Sequence, residues 1–488
     1  METGACSVLG CRGPGLSADE VVPGKPEVSK RLLIGVLVSA VFVSVLNSSM
    51  VNVVIPVIGE DYGVTEAQVG WVITGYLLTY AVGIPLYGRA ADVFGIRRTF
   101  IVGLLAFAAG SLLCAWAPSL VALVFGRIVQ GVGGAAIPAL SSVSVTKILP
   151  AGERGAALGL IVSSVGIGAA IGPILGGAVG ALVGWHYLFV GTLILTAILI
   201  PAALYVLPGD SPEEARGFDL PGGILLGLAA GLFLFGITRG QVSGFGSAGS
   251  WGSFVGSVLA AFGFGWRIRN AAEPFVSPTL FRNRAYVAAV VVGYFSMLAN
   301  VSALVFVPLL VSEANNLSPG QAGLVLTPGA VALAIISPMA GRWSDRIGVR
   351  PLIFAGLATM LLSVLSISTF GAGAAPLVVS LGMLGIGAGF ALANSPNVNA
   401  AASSLGPDEV GAGLGIFNGA FFLGGGTGPA VIGAFLAARK EAEAGALNPL
   451  YALDTAAFSD AFFALTLALL ISLVAALGLR STTAKETP

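Results

Sequence analysis

Fourteen stretches of this chain stay predominantly apolar for about 20 residues or more, the length a helix needs to cross a bilayer. They lie near 32–58, 69–89, 98–116, 120–146, 155–180, 186–207, 219–238, 250–267, 285–311, 320–342, 350–370, 375–402, 410–437 and 456–479. Polar residues bunch in the short gaps between them, so the pattern predicts an all-α integral membrane protein of fourteen transmembrane helices. Residues 1–31, rich in Gly, Pro and charge, and residues 481–488 read as disordered tails. The tetrad Val8-Leu9-Gly10-Cys11 has the form of a lipoprotein cleavage site, but no apolar stretch precedes it. No cleavable signal is visible, and the first helix is expected to act as the insertion signal.

Charge gives the orientation. Of 23 Lys and Arg, Arg127 falls inside a helix, and Arg239, Arg439 and Lys440 fall in gaps that alternation assigns to the outside. The other 23 − 1 − 3 = 19 lie on one side, among them Arg97, Arg98, Lys147, Arg154, Arg267, Arg269, Arg282, Arg284, Arg346 and Arg350. Basic residues collect in cytoplasmic loops, so both termini are expected in the cytoplasm of a plasma-membrane protein. Composition agrees: 56% of residues are hydrophobic and 9% charged, against about 25% charged in soluble domains. With zero net charge there is no basic surface for nucleic acid. Three cysteines (Cys6, Cys11, Cys114) and one histidine (His186) make no metal centre or disulfide framework, and Cys114 reads as a small packing residue. No cofactor is expected. No nucleophile–base pair or phosphate loop points to an enzyme.

Two internal repeats organise the helices. Gly88, Asp92, Gly95 and Arg97 in GRAADVFGIRR recur 253 residues later as Gly341, Asp345, Gly348 and Arg350 in GRWSDRIGVR. Glu153 and Gly155-Ala156-Ala157-Leu158-Gly159 recur 256 residues later as Glu409 and Gly411-Ala412-Gly413-Leu414-Gly415, and Gly172-Pro173 as Gly428-Pro429. Helices two and ten, and five and thirteen, are therefore equivalent. This predicts an N-terminal six-helix bundle (32–208), a linker with two extra helices (209–284) and a C-terminal six-helix bundle (285–480). Parallel repeats of this kind mark secondary transporters, with substrate held near the midplane between two rocking halves.

The chain resembles the major facilitator superfamily, in particular its fourteen-helix drug:proton antiporters, from residue 32 to 480. The resemblance rests on Leu46-Asn47-Ser48-Ser49-Met50-Val51-Asn52-Val53-Val54-Ile55-Pro56 and on Arg127-Ile128-Val129-Gln130-Gly131-Val132-Gly133-Gly134. Gly166, Gly172, Pro173, Gly176 and Gly177 in helix five resemble an exporter motif, and Glu273-Pro274-Phe275-Val276 is most similar to the tetracycline-efflux branch. The resemblance implies the major facilitator fold and proton-coupled export. It also exposes departures. Tetracycline exporters of this type carry acids inside helices five and thirteen, where this chain has Ala169 and Gly425, and many multidrug relatives carry Asp where it has Asn47.

Each motif has a physical reading of its own. Arg127 is the one charge well inside an apolar helix. It either caps carbonyls and snorkels, or faces the pathway with Gln130 on the same helix face. The glycines of helix five offer a small-residue face for close packing, and Pro173 permits a bend with Gly172, Gly176 and Gly177 as hinge. Asp92 and Asp345 read as proton carriers or as cytoplasmic latches. As latches, with Gly88, Arg97, Arg98, Gly341, Arg346 and Arg350, they would pair with a basic residue and a neighbouring helix N-terminus. Amides at Asn47, Asn52, Gln130, Asn300, Asn394, Asn397, Asn399 and Asn418, with Tyr76, Tyr80 and Tyr294, are expected to line the path. They suit an uncharged or amphipathic organic ligand. Apart from Arg127 no ionisable group is expected deep in a helix; Glu60, Asp61, Glu66, Asp219, Glu313 and Asp460 sit at helix ends or in loops. The expected function is export of an amphipathic, drug- or tetracycline-like molecule by a monomer in contact with lipid, with protons as coupling ion. A lipid or glycolipid carrier of the same fold is the alternative.

Overall fold

The structure, a computed structural model, describes residues 29–209, 219–442 and 445–479. Cys6, Cys11, the tetrad 8–11 and nearly all of both expected tails lie outside these residues. Every regular element among them is helical. Fourteen are long: α1 Lys30–Tyr62, α2 Trp71–Phe94, α3 Ile96–Ala115, α4 Leu120–Ile148, α5 Ala151–Leu182, α6 His186–Val206, α7 Leu220–Ser243, α8 Ala248–Asn270, α9 Arg284–Asn315, α10 Pro319–Ile347, α11 Val349–Ser366, α12 Pro376–Ser403, α13 Val410–Ala442 and α14 Ala456–Ala476. Thirteen are apolar enough to span a membrane by composition. The exception is α8, whose serines at 250, 253 and 257 dilute its apolar face; Ser250 and Ser257 donate to the Gly236 and Ala229 carbonyls of α7.

Some boundaries differ from expectation. α5 begins at Ala151 rather than near 155. α13 runs to Ala442, so Arg439 and Lys440 lie in its last turn and not in a loop. There Arg439 Nε donates to Asp460 at 2.7 Å and Lys440 pairs with Glu313 at 2.6 Å. Asp460 is therefore no solvated helix end: it is fully buried within the first turns of α14 and neutralised by Arg439.

The repeated motif is explained by backbone geometry. Gly95 joins α2 to α3 at φ 89° and ψ 154°, and Gly348 joins α10 to α11 at φ 88° and ψ 162°. Only glycine enters that region at little cost. α1–α6 and α9–α14 form the two six-helix bundles, with the α7–α8 hairpin packed against α2 and α13. Asp219 holds the base of this hairpin. Its buried carboxylate caps the Gly222 amide of α7, accepts from Arg267 Nε of α8 at 3.0 Å, and accepts the amide of Phe275 in the EPFV segment at 3.1 Å.

The two bundles meet mainly through α5 on α10 and α2 on α13. Both seams are tightest at the end carrying Arg97, Lys147, Arg154 and Arg346, the basic end. A side chain on Gly88 would strike the Gly411 carbonyl, one on Gly341 the Gly155 carbonyl, and one on Gly159 the Ser337 carbonyl. Among the described residues the first helices of the two bundles, α1 and α9, share no extensive packing. The two bundles are joined backbone to backbone at the basic end.

Candidate functional site

Two reciprocal carboxylates hold the basic end shut. Asp92, at the end of α2, accepts the Gly411 and Ala412 amides at the start of α13 at 3.0 and 2.8 Å, together with Lys147 Nζ of α4 at 2.9 Å. Asp345, at the end of α10, accepts the Gly155 and Ala156 amides near the start of α5 at 3.1 Å each. Each acid thus accepts backbone amides in the first two turns of a helix of the other bundle, where the helix dipole favours a negative charge. The pair is not symmetric. The residue equivalent to Lys147 is Ser403, and Asp345 makes no ion pair among the described residues. A polar cleft of about 470 Å³, lined by Asp92, Thr146, Lys147, Arg154, Ser403 and Asp408, opens over the Asp92 contact. Arg98 and Arg346 are exposed, Arg97 is half-buried, and Arg350 lies over the Phe354 ring at 5.8 Å.

The glycines of α5 serve two partners rather than one face. Gly168, Gly172 and Gly176 lie against Phe42, Ser49 and Met50 of α1, whereas Gly166 meets Leu333 of α10. Gly177 is nearly uncrowded, with only Val53 at 3.9 Å from a would-be Cβ. Pro173 sits inside an unbroken helix.

Arg127 is 1% exposed within the N-terminal bundle. Its Nε donates to the Val72 carbonyl at 3.2 Å, and its Nη1 to Asn47 Oδ1 at 3.1 Å and Gln130 Oε1 at 2.5 Å. Gln130 passes the chain on to Ser111 at 2.7 Å, and Asn47 to Thr192 at 3.0 Å. The guanidinium stacks over Tyr76, 4.1 Å from the ring centre. Glycines make room for this: a side chain on Gly131 would meet Thr79 and Tyr76, and one on Gly110 the Gln130 backbone. From Tyr76 an aromatic series leads out of the bundle. Tyr76 stacks on Tyr80 at 5.5 Å, Tyr80 meets the edge of Phe422 on α13 at 5.2 Å, and Phe422 meets Phe421, which stacks with Phe390 and Phe417.

The structure therefore joins Asn47, Arg127 and Gln130 and separates the other amides. Asn52 is exposed on α1, outside the network. Asn300 is buried on α9; Asn397 donates to the Ala289 carbonyl and Asn418 to the Leu414 carbonyl of its own helix. The carbonyl oxygens of Asn394 and Asn397 are buried without a partner. Asn47, Gln130 and Asn397, expected on an open pathway, are enclosed here because each found a hydrogen-bond partner on a neighbouring helix. Sequence reasoning missed Ser111, Thr192 and Phe422. The two hydroxyls sit on apolar helices with no motif around them, and Phe422 is one of 27 phenylalanines.

Comparison with known proteins matches the Major Facilitator Superfamily model to residues 37–272 and 285–488. The chain belongs to the major facilitator superfamily. The multidrug resistance protein Stp of Mycobacterium tuberculosis is 31% identical over 402 residues, 81% of this chain and 74% of that protein. The tetracenomycin C resistance and export protein of Streptomyces glaucescens is 30% identical over 410 residues, 83% and 76% of the two chains. The riboflavin transporter RibZ of Clostridioides difficile is 26% identical over 387 residues, 79% of this chain and 83% of that one. Among solved structures, the human organic anion transporter MFSD10 aligns with TM-score 0.66 at 16% identity over 93% of this chain and all of that one, and the proton:xylose symporter XylE with TM-score 0.64 at 17% identity over 92% and 94%. These two show the fold. The chain is a multi-pass major facilitator transporter.

Proposed function

We propose that this transporter is a secondary active exporter of amphipathic, drug-like small molecules that works by alternating access in the plasma membrane, with the basic end and both termini in the cytoplasm and protons as coupling ion. The observation that carries the reading is the reciprocal latch. Asp92 and Asp345 each tie one bundle to the opening turns of a helix of the other at the basic end, and among the described residues α1 and α9 share no extensive packing. A transporter closed on one side by contacts between rigid bundles exposes its site to the other, and breaking the contacts exchanges the two sides. Resemblance to the multidrug and tetracenomycin exporters supports the export direction. The aromatic series from Tyr76 to Phe422 supports an organic, flat-bodied ligand. The apolar crevice of about 400 Å³ between α2, α4 and Leu220 of α7 stays off the seam between bundles, which speaks against a lipid carrier. Uptake of amphipathic antibiotics into inverted vesicles, with and without an imposed pH gradient, tests the reading. Accumulation that needs the protein and an energised membrane is expected, and movement of a fluorescent phospholipid in place of antibiotic would decide for the lipid carrier.

A further inference from the structure

Among the described residues the charge of Arg127 has no acidic counterpart. Arginine stays protonated in any protein environment, and an isolated buried charge costs several kcal/mol. Its partners are neutral: two amide oxygens, one backbone carbonyl and a tyrosine ring. Among the described residues no carboxylate lies within ion-pair distance of it. The acids on the helices that hold it are Glu60 and Asp61 on α1 and Asp92 on α2; α3, α4 and α6 carry none. Glu60 is 13 residues beyond Asn47 and Asp92 is 16 beyond Tyr76, roughly 20 and 24 Å along a helix. At such distances the attraction is a small fraction of a contact pair. Hydrogen bonds occupy Nε and Nη1, and among the described residues none is made by Nη2. The guanidinium thus keeps an unused pair of donors and an unmatched positive charge at the head of the aromatic series Tyr76, Tyr80, Phe422.

We propose that the transported molecule supplies the missing charge: it is a flat aromatic compound bearing an anionic oxygen, carboxylate or enolate, that pairs with Arg127 Nη2 while its rings lie along Tyr76, Tyr80 and Phe422. This rests on the export reading and narrows it from amphipathic to anionic. Asn47 is then the determinant of substrate charge. A carboxylate at that position would stand where Oδ1 now lies, 3.1 Å from Nη1, and satisfy the guanidinium internally. A small free anion has the same chemistry, and the test separates the two sources.

The test uses full-length protein in lipid nanodiscs and in vesicles, with anthracene-9-carboxylate, its neutral methyl ester, and thiocyanate as a small competing anion. The acid is expected to bind about tenfold or more tightly than the ester. In Asn47→Asp, which keeps the oxygen that accepts from Nη1 but gives up the donation to Thr192, and in Arg127→Gln, the preference should collapse to about unity. Asn47→Asp keeps the test sharp if loss of the arginine prevents folding. Equal binding of acid and ester by the unaltered protein, or an undiminished preference in Asn47→Asp, overturns the proposal. Binding of thiocyanate alone, dependent on Arg127 and with both aromatics inert, assigns the site to a free anion and overturns the substrate assignment. Arg127-dependent binding of the acid without its movement across vesicles counts against export and leaves the anion pairing supported.

Discussion

At the residue scale the two latch acids invite a comparison that their shared motif hides. Asp92 accepts two backbone amides and a lysine, and Asp345 two amides alone. Hydrogen bonds to a charged group contribute about 1.5–3 kcal/mol each, and an Asn in either place has only one oxygen to offer. Asp92→Asn should weaken the closed basic end by about 2–3 kcal/mol, a 30- to 150-fold shift toward opening there, and Asp345→Asn by less. The alkylation rate of a cysteine placed at Ala402, buried beside the Asp92 cleft, reads this directly. Transport should slow in both variants while equilibrium binding of substrate persists, since neither acid is near Arg127. Lost binding with an unchanged alkylation rate would remove the latch assignment. The motif made the acids legible as residues of interest, because an aspartate three positions before a glycine turn is a local pattern. Lys147 and the amides of Gly411 were not legible, since they come from positions 55 and more than 300 residues away.

At the scale of elements, the seams between bundles are set by backbone against backbone. The would-be Cβ of Gly88 meets the Gly411 carbonyl and that of Gly341 the Gly155 carbonyl, and no side-chain rotation relieves either clash. Gly88→Ala and Gly341→Ala are therefore expected to force the basic end apart, at the 1–3 kcal/mol typical of overpacking, and raise alkylation at Ala402→Cys. Gly177→Ala, facing only Val53 at 3.9 Å, is the matched control and should change neither alkylation nor transport. Equal effects of all three would mean that helix propensity and not seam packing governs the response. The inserted pair has its own fastening. Asp219→Asn gives up the ion pair with Arg267 and part of a three-donor cluster, so thermal unfolding followed by intrinsic fluorescence should fall by several degrees, with α7 and α8 the first to become protease-sensitive. Helix number and repeat pairing were readable from apolar length and from the 253- and 256-residue displacements. The ends of α5 and α13 were not, because Arg439 and Lys440 look like loop residues until Asp460 and Glu313 are seen to pair with them.

At the scale of the whole molecule the question is which force drives the cycle. Positions 169 and 425, where the resembling tetracycline exporters hold acids, are occupied by Ala169, whose carbonyl accepts from Ser49 at 3.1 Å, and Gly425, packed near Met297 and Val301. Neither titrates. The buried acids Asp92, Asp219 and Asp460 are each committed to a cation, and Glu313 to Lys440. If protons couple the cycle, they act through peripheral groups such as Glu60 or Asp61, or by releasing Asp92 or the cation-free Asp345 from its latch, and their effect on rate should be graded rather than steep. An anionic cargo adds a second force, since each elementary charge moved through the membrane potential is worth about 2.3 kcal/mol per 100 mV and an inside-negative cell expels anions. In right-side-out vesicles loaded with anthracene-9-carboxylate, collapsing the potential with valinomycin and potassium should cut efflux more than collapsing the pH gradient with nigericin. Efflux of the methyl ester, which moves one charge fewer per cycle, should fall less with valinomycin than efflux of the acid. Full dependence on nigericin, with one steep titration near neutral pH, would mean that a strongly perturbed acid governs the cycle and that the latch carboxylates do more than hold the basic end shut.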